Sequence, residues 1–344
     1  MQSQLFDLYR PRQLATRLGV DEAWLIRLVD ELKSADGRAK YFRQFTLYDP
    51  QPGKKPRDII SVRGDLRLIQ RRLQNRLFSR AIEPTPFSHG GVRRRDIKSN
   101  ASQHSQNRFL YLTDIANFYP SIRSERVNQF FKTNGCHPSV ARLLTTLTTL
   151  DYHLALGLIT SPILAEAIVQ PVDRRVAMAC SRHGFRYSRY VDDICISSKH
   201  NLQGSGIAAT VRKILMQEGF RVRAEKDRFS RVDEGCSITG LEVRQGRLRV
   251  PTSYVEKLKT SLIEAKSIAN GVAQNGLYHT KEQLWGRILF VRWVNPGQAR
   301  SLVSQFRSIS WRSHREHSQR QRLIVARPVF VERDAVPPEF ALKA

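Results

Sequence analysis

Tyr190-Val191-Asp192-Asp193 sets two carboxylates side by side between the apolar stretches FRYSRY (185–190) and DICISS (193–198). Hydrophobic residues on both sides read as strand, turn and strand. Adjacent carboxylates at such a tip repel each other, and neither can be buried without a partner cation. The simpler alternative is a solvent-exposed acidic turn, so the motif gains meaning only with a second element.

Asp114 supplies one. It lies near the end of the apolar strand FLYLTDI (109–115) and precedes Phe118-Tyr119-Pro120-Ser121. Alone, an Asp there reads as a helix N-cap. Together, three carboxylates at the ends of central strands can bind two Mg²⁺ ions through oxygen. Metal ions about 4 Å apart can activate a 3′-hydroxyl and stabilise a leaving pyrophosphate. Cys136, Cys180, Cys195 and Cys236 are spread too far for a zinc or redox motif, so they read as reduced thiols.

Charge points the same way. The 344 residues carry a formal net charge of +26 with 41% hydrophobic residues, which implies a globular chain with a polyanionic partner. Nucleic acid is favoured over an anionic membrane. No apolar run approaches the roughly 20 residues of a span. The N-terminal segment lacks a signal-peptide core, so the cytoplasm is expected. Basic residues concentrate between 51 and 98. Arg71 and Arg72 lie on a helix (64–80) whose apolar face is Leu66, Ile69, Leu73 and Leu77, and Arg93, Arg94 and Arg95 follow. Their sign bias favours phosphate contact over a merely solvated face.

The remaining pattern predicts a helical segment over 11–34 and a β-hairpin within 41–62 with a basic QPGKKP tip. Helices are expected at 124–134, 138–150 and 205–218. A long helix begins at Pro162, and Pro171 should interrupt and kink it. FRVRAEK (220–226) reads as a strand, 237–250 as a hairpin and 253–309 as mostly helical. The tail from 312 is expected to be only partly ordered.

These motifs resemble those of reverse transcriptases. YVDD matches their Tyr-x-Asp-Asp motif, and LTDIANFYPSI (112–122) resembles the metal-binding motif before it. LALGLITSPILAE (154–166), GFRVRAEKDRFSR (219–231) and ITGLEV (238–243) follow in the family's order. The bacterial retron-type enzymes are the most similar subgroup. Asn100-Ala101-x-x-His104 resembles their Asn-Ala-x-x-His signature, Ile238-Thr239-Gly240 their Val-Thr-Gly signature, and WGRILFVRWVNPGQ (285–298) their thumb.

The resemblance implies an α+β, right-hand polymerase. Residues 1–34 would form an N-terminal helical segment, 35–252 fingers and palm, 253–311 a helical thumb and 312–344 a basic tail. Asp114, Asp192 and Asp193 would be catalytic metal ligands. Lys226 would be a general acid, with a solvated surface lysine as its alternative. Lys55, Arg57, Tyr119 (as steric gate) and Gly157 would contact the nucleotide. Arg71, Arg72, Arg93, Arg94, Arg95, Asn100 and His104 would serve RNA binding, with a structural role as the alternative for His104. The implied partners are deoxynucleotides, a structured non-coding RNA with its cDNA, and an effector protein in antiphage defence.

Two departures stand out. Ala155 and Leu156 replace the family's Pro and Gln before Gly157, and Glu166 stands where Asn is common. The first favours a rival, a defence reverse transcriptase outside the retrons that makes repetitive or untemplated DNA. Another rival, a group II intron-type enzyme, would need a maturase domain and an endonuclease after the thumb. A third is a catalytically silent RNA-binding protein, against which the intact aspartates argue.

Overall fold

Apolar spacing near the N-terminus forms short helices, α1 (Pro11–Leu18), α2 (Glu22–Glu31) and α3 (Ala35–Tyr41), where the sequence suggested one segment. Gly19 takes a φ of 68° and ends α1, and Asp21 then caps α2 by accepting from Trp24 N at 2.8 Å. The computed structural model describes residues 5–48, 56–244, 246–272 and 277–332.

The expected hairpin is present as β1 (Phe42–Tyr48) paired antiparallel with β2 (Arg57–Val62). Its tip, with Lys55, lies outside the described residues. The basic helix that follows is not uniform. It runs as α4 (Gly64–Arg72), a π-helical turn (Leu73–Phe78) and α5 (Ser79–Ala81). Leu73, Leu77 and Phe78 are all buried. The wider turn keeps them on the core side, while Arg72 and Arg76 each donate to Leu18 O, at 3.1 and 2.8 Å.

After α6 (Ile97–Ser102) the chain builds a central sheet. The order of elements is β3 (Phe109–Asp114), α7 (Phe118–Ser121), α8 (Ser124–Thr133), α9 (Pro138–Thr148), α10 (Ser161–Ser181), β4 (Arg186–Tyr190), β5 (Asp193–Ser198), α11 (Ile207–Gln217) and β6 (Arg228–Arg231). The four strands lie β4-β5-β3-β6, antiparallel throughout. Both faces are covered. Tyr111, Ile194 and Ile196 join one core with α8 to α11, whereas Leu110 and Cys195 join a second. This alternation is the strand period of two.

Helix α10 continues through Pro171, where an interruption was expected. Leu164, Ile168, Val169, Val172 and Val176 are buried along it. Burying each such side chain gains about 1.5–3 kcal/mol, against a cost of about 3 for an interior proline. FRVRAEK also differs from expectation. Val222 bridges to Ile115, and a tight 3₁₀ turn at Ala224–Lys226 precedes β6.

The second core is formed largely by the C-terminal elements. These are β7 (Ser237–Ile238), β8 (Leu241–Arg244), β9 (Arg247–Arg249), α12 (Thr252–Ala269), α13 (Lys281–Val294) and α14 (Pro296–Arg307), with the short β10 (Leu277–Tyr278) outside the core between α12 and α13. Residues 311–332 are structured. They form α15 (Trp311–Arg320), β11 (Ile324–Val325) and β12 (Val329–Glu332). β11 pairs with β10, and β12 adds a third strand to the β1–β2 hairpin.

Candidate active site

Asp114 and Asp193 face each other across the two central strands, because β3 and β5 pair with Asp114 in register with Asp193. Asp192 sits one residue earlier, in the two-residue turn closed by Tyr190 and Asp193. Ile115 N donates to Asp192 O at 3.1 Å, which ties the turn to the end of β3. Strand pairing therefore brings Asp114 to the adjacent pair Asp192-Asp193, far from it in sequence.

Their environments differ. Asp114 is fully buried. Lys226 Nζ lies 2.5 Å from its Oδ2 and 3.2 Å from Asp193 Oδ1. Arg223 Nε lies 3.2 Å from Asp114 Oδ1 but without hydrogen-bond geometry, so that oxygen is buried and lacks a donor. Burial first, then the charges of Asp114 and Asp193, push the Asp192 carboxyl up to about 6. Burial also raises Asp193, against the pull of Lys226. Burial works against the charge on Lys226, but Asp114 and Asp193 outweigh it and hold the lysine above its ordinary range.

Among the described residues, no three His, Cys, Asp or Glu side chains close into a metal cage. Here Lys226 supplies the positive charge that like-charged carboxylates need. The donor set still suits a hard cation: all oxygen, one atom buried without a donor, and a neighbour whose ionisation the cluster itself opposes.

A family model for reverse transcriptase (RNA-dependent DNA polymerase) matches residues 50–243, which include all three aspartates. The chain belongs to the reverse transcriptase family. That family generally uses divalent metal ions. Curated relatives include the Retron Mx65 reverse transcriptase of Myxococcus xanthus, 28% identical over 69% of this chain and 58% of that protein. The Retron Mx162 reverse transcriptase of the same organism is 26% identical over 78% and 60%. The Retron Se72 reverse transcriptase of Salmonella heidelberg is 27% identical over 80% and 71%. The match thus spans about three-fifths of the two Myxococcus proteins (58% and 60%). The retron-type resemblance read from the sequence is borne out.

In this family member, Tyr119 lies partly buried close to the cluster. Burial first, then the Asp192 charge, pushes its hydroxyl up to about 12. Gly157 takes a φ of 103°, and a Cβ there would stand 2.0 Å from Ile60 O. Ile60 N donates to Leu156 O at 2.8 Å. The Leu156-Gly157 backbone therefore docks directly on β2, and only glycine permits that approach. Gly157 and Arg71 also line one cavity of about 590 Å³, with Phe45, Ile60 and Arg67. Arg57 is exposed on β2.

The expected RNA-contacting residues divide. Arg71, Arg93 and Arg94 are exposed. Arg72 and Arg95 are engaged with the backbone: Arg72 donates to Leu18 O and Gly19 O, Arg95 to Thr85 O and Ser88 O. Asn100 and His104, unlike the exposed arginines, are 1% and 0% exposed. They form a buried chain. Asn107 Nδ2 donates to Ser197 Oγ, and His104 bonds Ser197 Oγ through Nδ1 and Ser188 Oγ through Nε2. Ser188 Oγ donates to Asn100 Oδ1, and Asn100 Nδ2 reaches Thr239 Oγ1 at 3.4 Å. This order puts the imidazole proton on Nε2 and leaves Nδ1 as acceptor. The two retron-like signatures are thus halves of one clamp across β4, β5 and the β7–β8 turn.

Sequence reasoning missed Arg223 and the buried trio that Arg189 forms with Asp173 and Glu166, the last noted only as standing where Asn is common. Arg189 Nη2 lies 2.7 Å from both Glu166 Oε2 and Asp173 Oδ2. A signal existed. Arg189 shares a strand face with buried Tyr187, and Glu166 and Asp173 lie two turns apart on α10.

Proposed function

We propose that this protein is an RNA-directed DNA polymerase that copies a cognate structured non-coding RNA, serving as both template and primer, in antiphage defence. The register of Asp114 against Asp193, with Asp192 in the adjoining turn, carries this reading. In the right-hand description, β1–β2 and α4 would be fingers, the central sheet the palm, and α12–α14 the thumb. Asp114, Asp192 and Asp193 would hold two Mg²⁺, which would supply activation of the 3′-hydroxyl and charge stabilisation at pyrophosphate.

The other residues have roles that need no metal geometry. Lys226 Nζ is protonated and beside the carboxylates, suited to donate a proton to the leaving pyrophosphate oxygen. Tyr119 presents a ring near Asp192, suited to exclude a 2′-hydroxyl. Arg57, with Lys55 in the hairpin tip, would bind triphosphate oxygens. Arg71, Arg93 and Arg94 would contact RNA phosphates. The exposed Leu156, in place of the family's Gln, favours a second reading in which DNA is repetitive or untemplated.

The test is to purify the protein with its nucleic acid, supply Mg²⁺ and deoxynucleotides, and sequence the products beside those of Asp192→Ala. Short DNA joined to one structured RNA supports the first reading, and simple-repeat DNA the second. Bound RNA with no DNA from the wild type would overturn both.

A further inference from the structure

Arg189 heads the largest fully buried side chains of the described residues, and it lies directly before the Tyr190–Asp193 turn. We propose that Arg189 is a positioning residue that holds this turn, and thereby Asp192 and Asp193, in shape to bind metal. The proposal rests on the polymerase reading above.

The turn needs such a holder. Val191 has a φ of 58°. A two-residue hairpin turn with positive φ at its first central position favours glycine there, and a β-branched residue is strained. Arg189 Nη1 donates to Val191 O at 2.8 Å, directly within the strained unit. From the other side Gly90 packs under the turn, where a Cβ would stand 2.4 Å from Val191 N.

The guanidinium is itself immobilised. Nε donates to Asp173 Oδ1 at 2.8 Å, and Nη2 to Asp173 Oδ2 and Glu166 Oε2 at 2.7 Å each. Thr85 and Ser88 hydroxyls donate to the same two oxygens that accept from Nη2, Asp173 Oδ2 and Glu166 Oε2, at 2.9 and 2.7 Å. Arg189 N donates to Phe87 O, and His89 N to Arg189 O, both at 2.8 Å. Loop 85–90, α10 and β4 therefore meet at one planar fork. An ion pair serving stability alone needs no bond to the turn carbonyl. Lysine could keep the charge but not the fork.

The test is Arg189→Lys, alone and with Val191→Gly. Glycine adopts positive φ freely, so it relieves the turn of the need for a holder. Mn²⁺ binding is read by electron paramagnetic resonance without nucleotide, alongside steady-state DNA synthesis and thermal unfolding. In R189K, Mn²⁺ affinity is expected to fall about tenfold. Its kcat should fall roughly 10- to 100-fold with KM for deoxynucleotide unchanged. Adding V191G should restore part of both losses. Wild-type Mn²⁺ affinity and kcat in folded R189K, or a V191G effect that is the same in both backgrounds, would overturn the proposal. If R189K does not fold, Glu166→Gln decides: a folded E166Q with wild-type Mn²⁺ affinity and turnover overturns it, and weakened Mn²⁺ binding supports it. Wild-type protein that makes no DNA, with R189K still weaker for Mn²⁺, would overturn the polymerase reading alone.

Discussion

The charged groups on the two sides of the Tyr190–Asp193 turn differ in how fully their oxygens and protons are used. On the inner side, Arg189 makes four hydrogen bonds, and each Asp173 oxygen receives two donors. On the outer side, Asp114 Oδ1 has no donor, and Asp192 is pushed up to about 6 by burial and its neighbours. Asp173 and Arg189 have nothing left to bind and can only set shape, although Glu166 Oε1 beside them is buried without a donor. An under-satisfied cluster keeps its capacity for a ligand and costs stability until one arrives. The molecule places the rigid group beneath the needy one.

Removing an outer carboxylate should give the largest effect and leave the fold intact. Asp192→Ala is expected to lower DNA synthesis by about 1,000-fold or more, with an unchanged or raised melting temperature because repulsion is relieved. A loss of stability instead would erase the contrast between the two sides. The reverse pattern is expected inside. Asp173→Ala strips Arg189, Tyr187 and Thr85 of a shared acceptor and should cost about 3–5 kcal/mol in urea unfolding. A cost near zero would mean that Glu166 alone suffices.

A buried group without charge sharpens the comparison. Burial first, then His89 and Arg186, push His104 down to about 3, so it folds neutral. Unfolded, it takes up a proton near pH 6.5. The folded pKa is depressed, so the unfolded chain binds the extra proton below that pH. Stability should fall by up to about 1.4 kcal/mol per pH unit as pH drops from 6.5 toward 3, and be flat above. His104→Gln should lose this slope in unfolding measured across that window, and an unaltered slope would clear His104 of it. The smallest effect is expected at the surface. Arg94→Ala should reduce the salt dependence of RNA binding by roughly one counterion and weaken binding evenly across sequences. An unchanged salt slope would put Arg94 outside the RNA contact.

Much of the site was legible because its signals are local. An apolar run ending in Asp114 and a paired carboxylate between two apolar runs each lie within a few residues of sequence. The β1–β2 hairpin was legible for the same reason. Arginines were not. Arg71, Arg72, Arg93, Arg94 and Arg95 look alike in sequence, yet Arg72 and Arg95 spend their protons on carbonyls that the fold brings to them. Asn100 and His104 were recognised as a signature, but the chain they form was not legible, because the hydroxyls that satisfy them, Ser188 and Ser197, lie more than 80 residues away.

The sequence by itself determined which side chains could do metal-dependent phosphoryl chemistry, which segments became the two central strands, and that the chain carries a large positive charge. Periodicity and charge are properties of short stretches, and they survive without the fold. Only the tertiary structure decided that Asp114 stands opposite Asp193, that Lys226 lies between them, and that Arg189 is sealed under the turn. It alone added β12 to the edge of β1, joining Phe45 to Glu332 across nearly the whole chain. Those outcomes depend on strand register and on which buried polar groups can find partners, and both are settled by packing between distant segments.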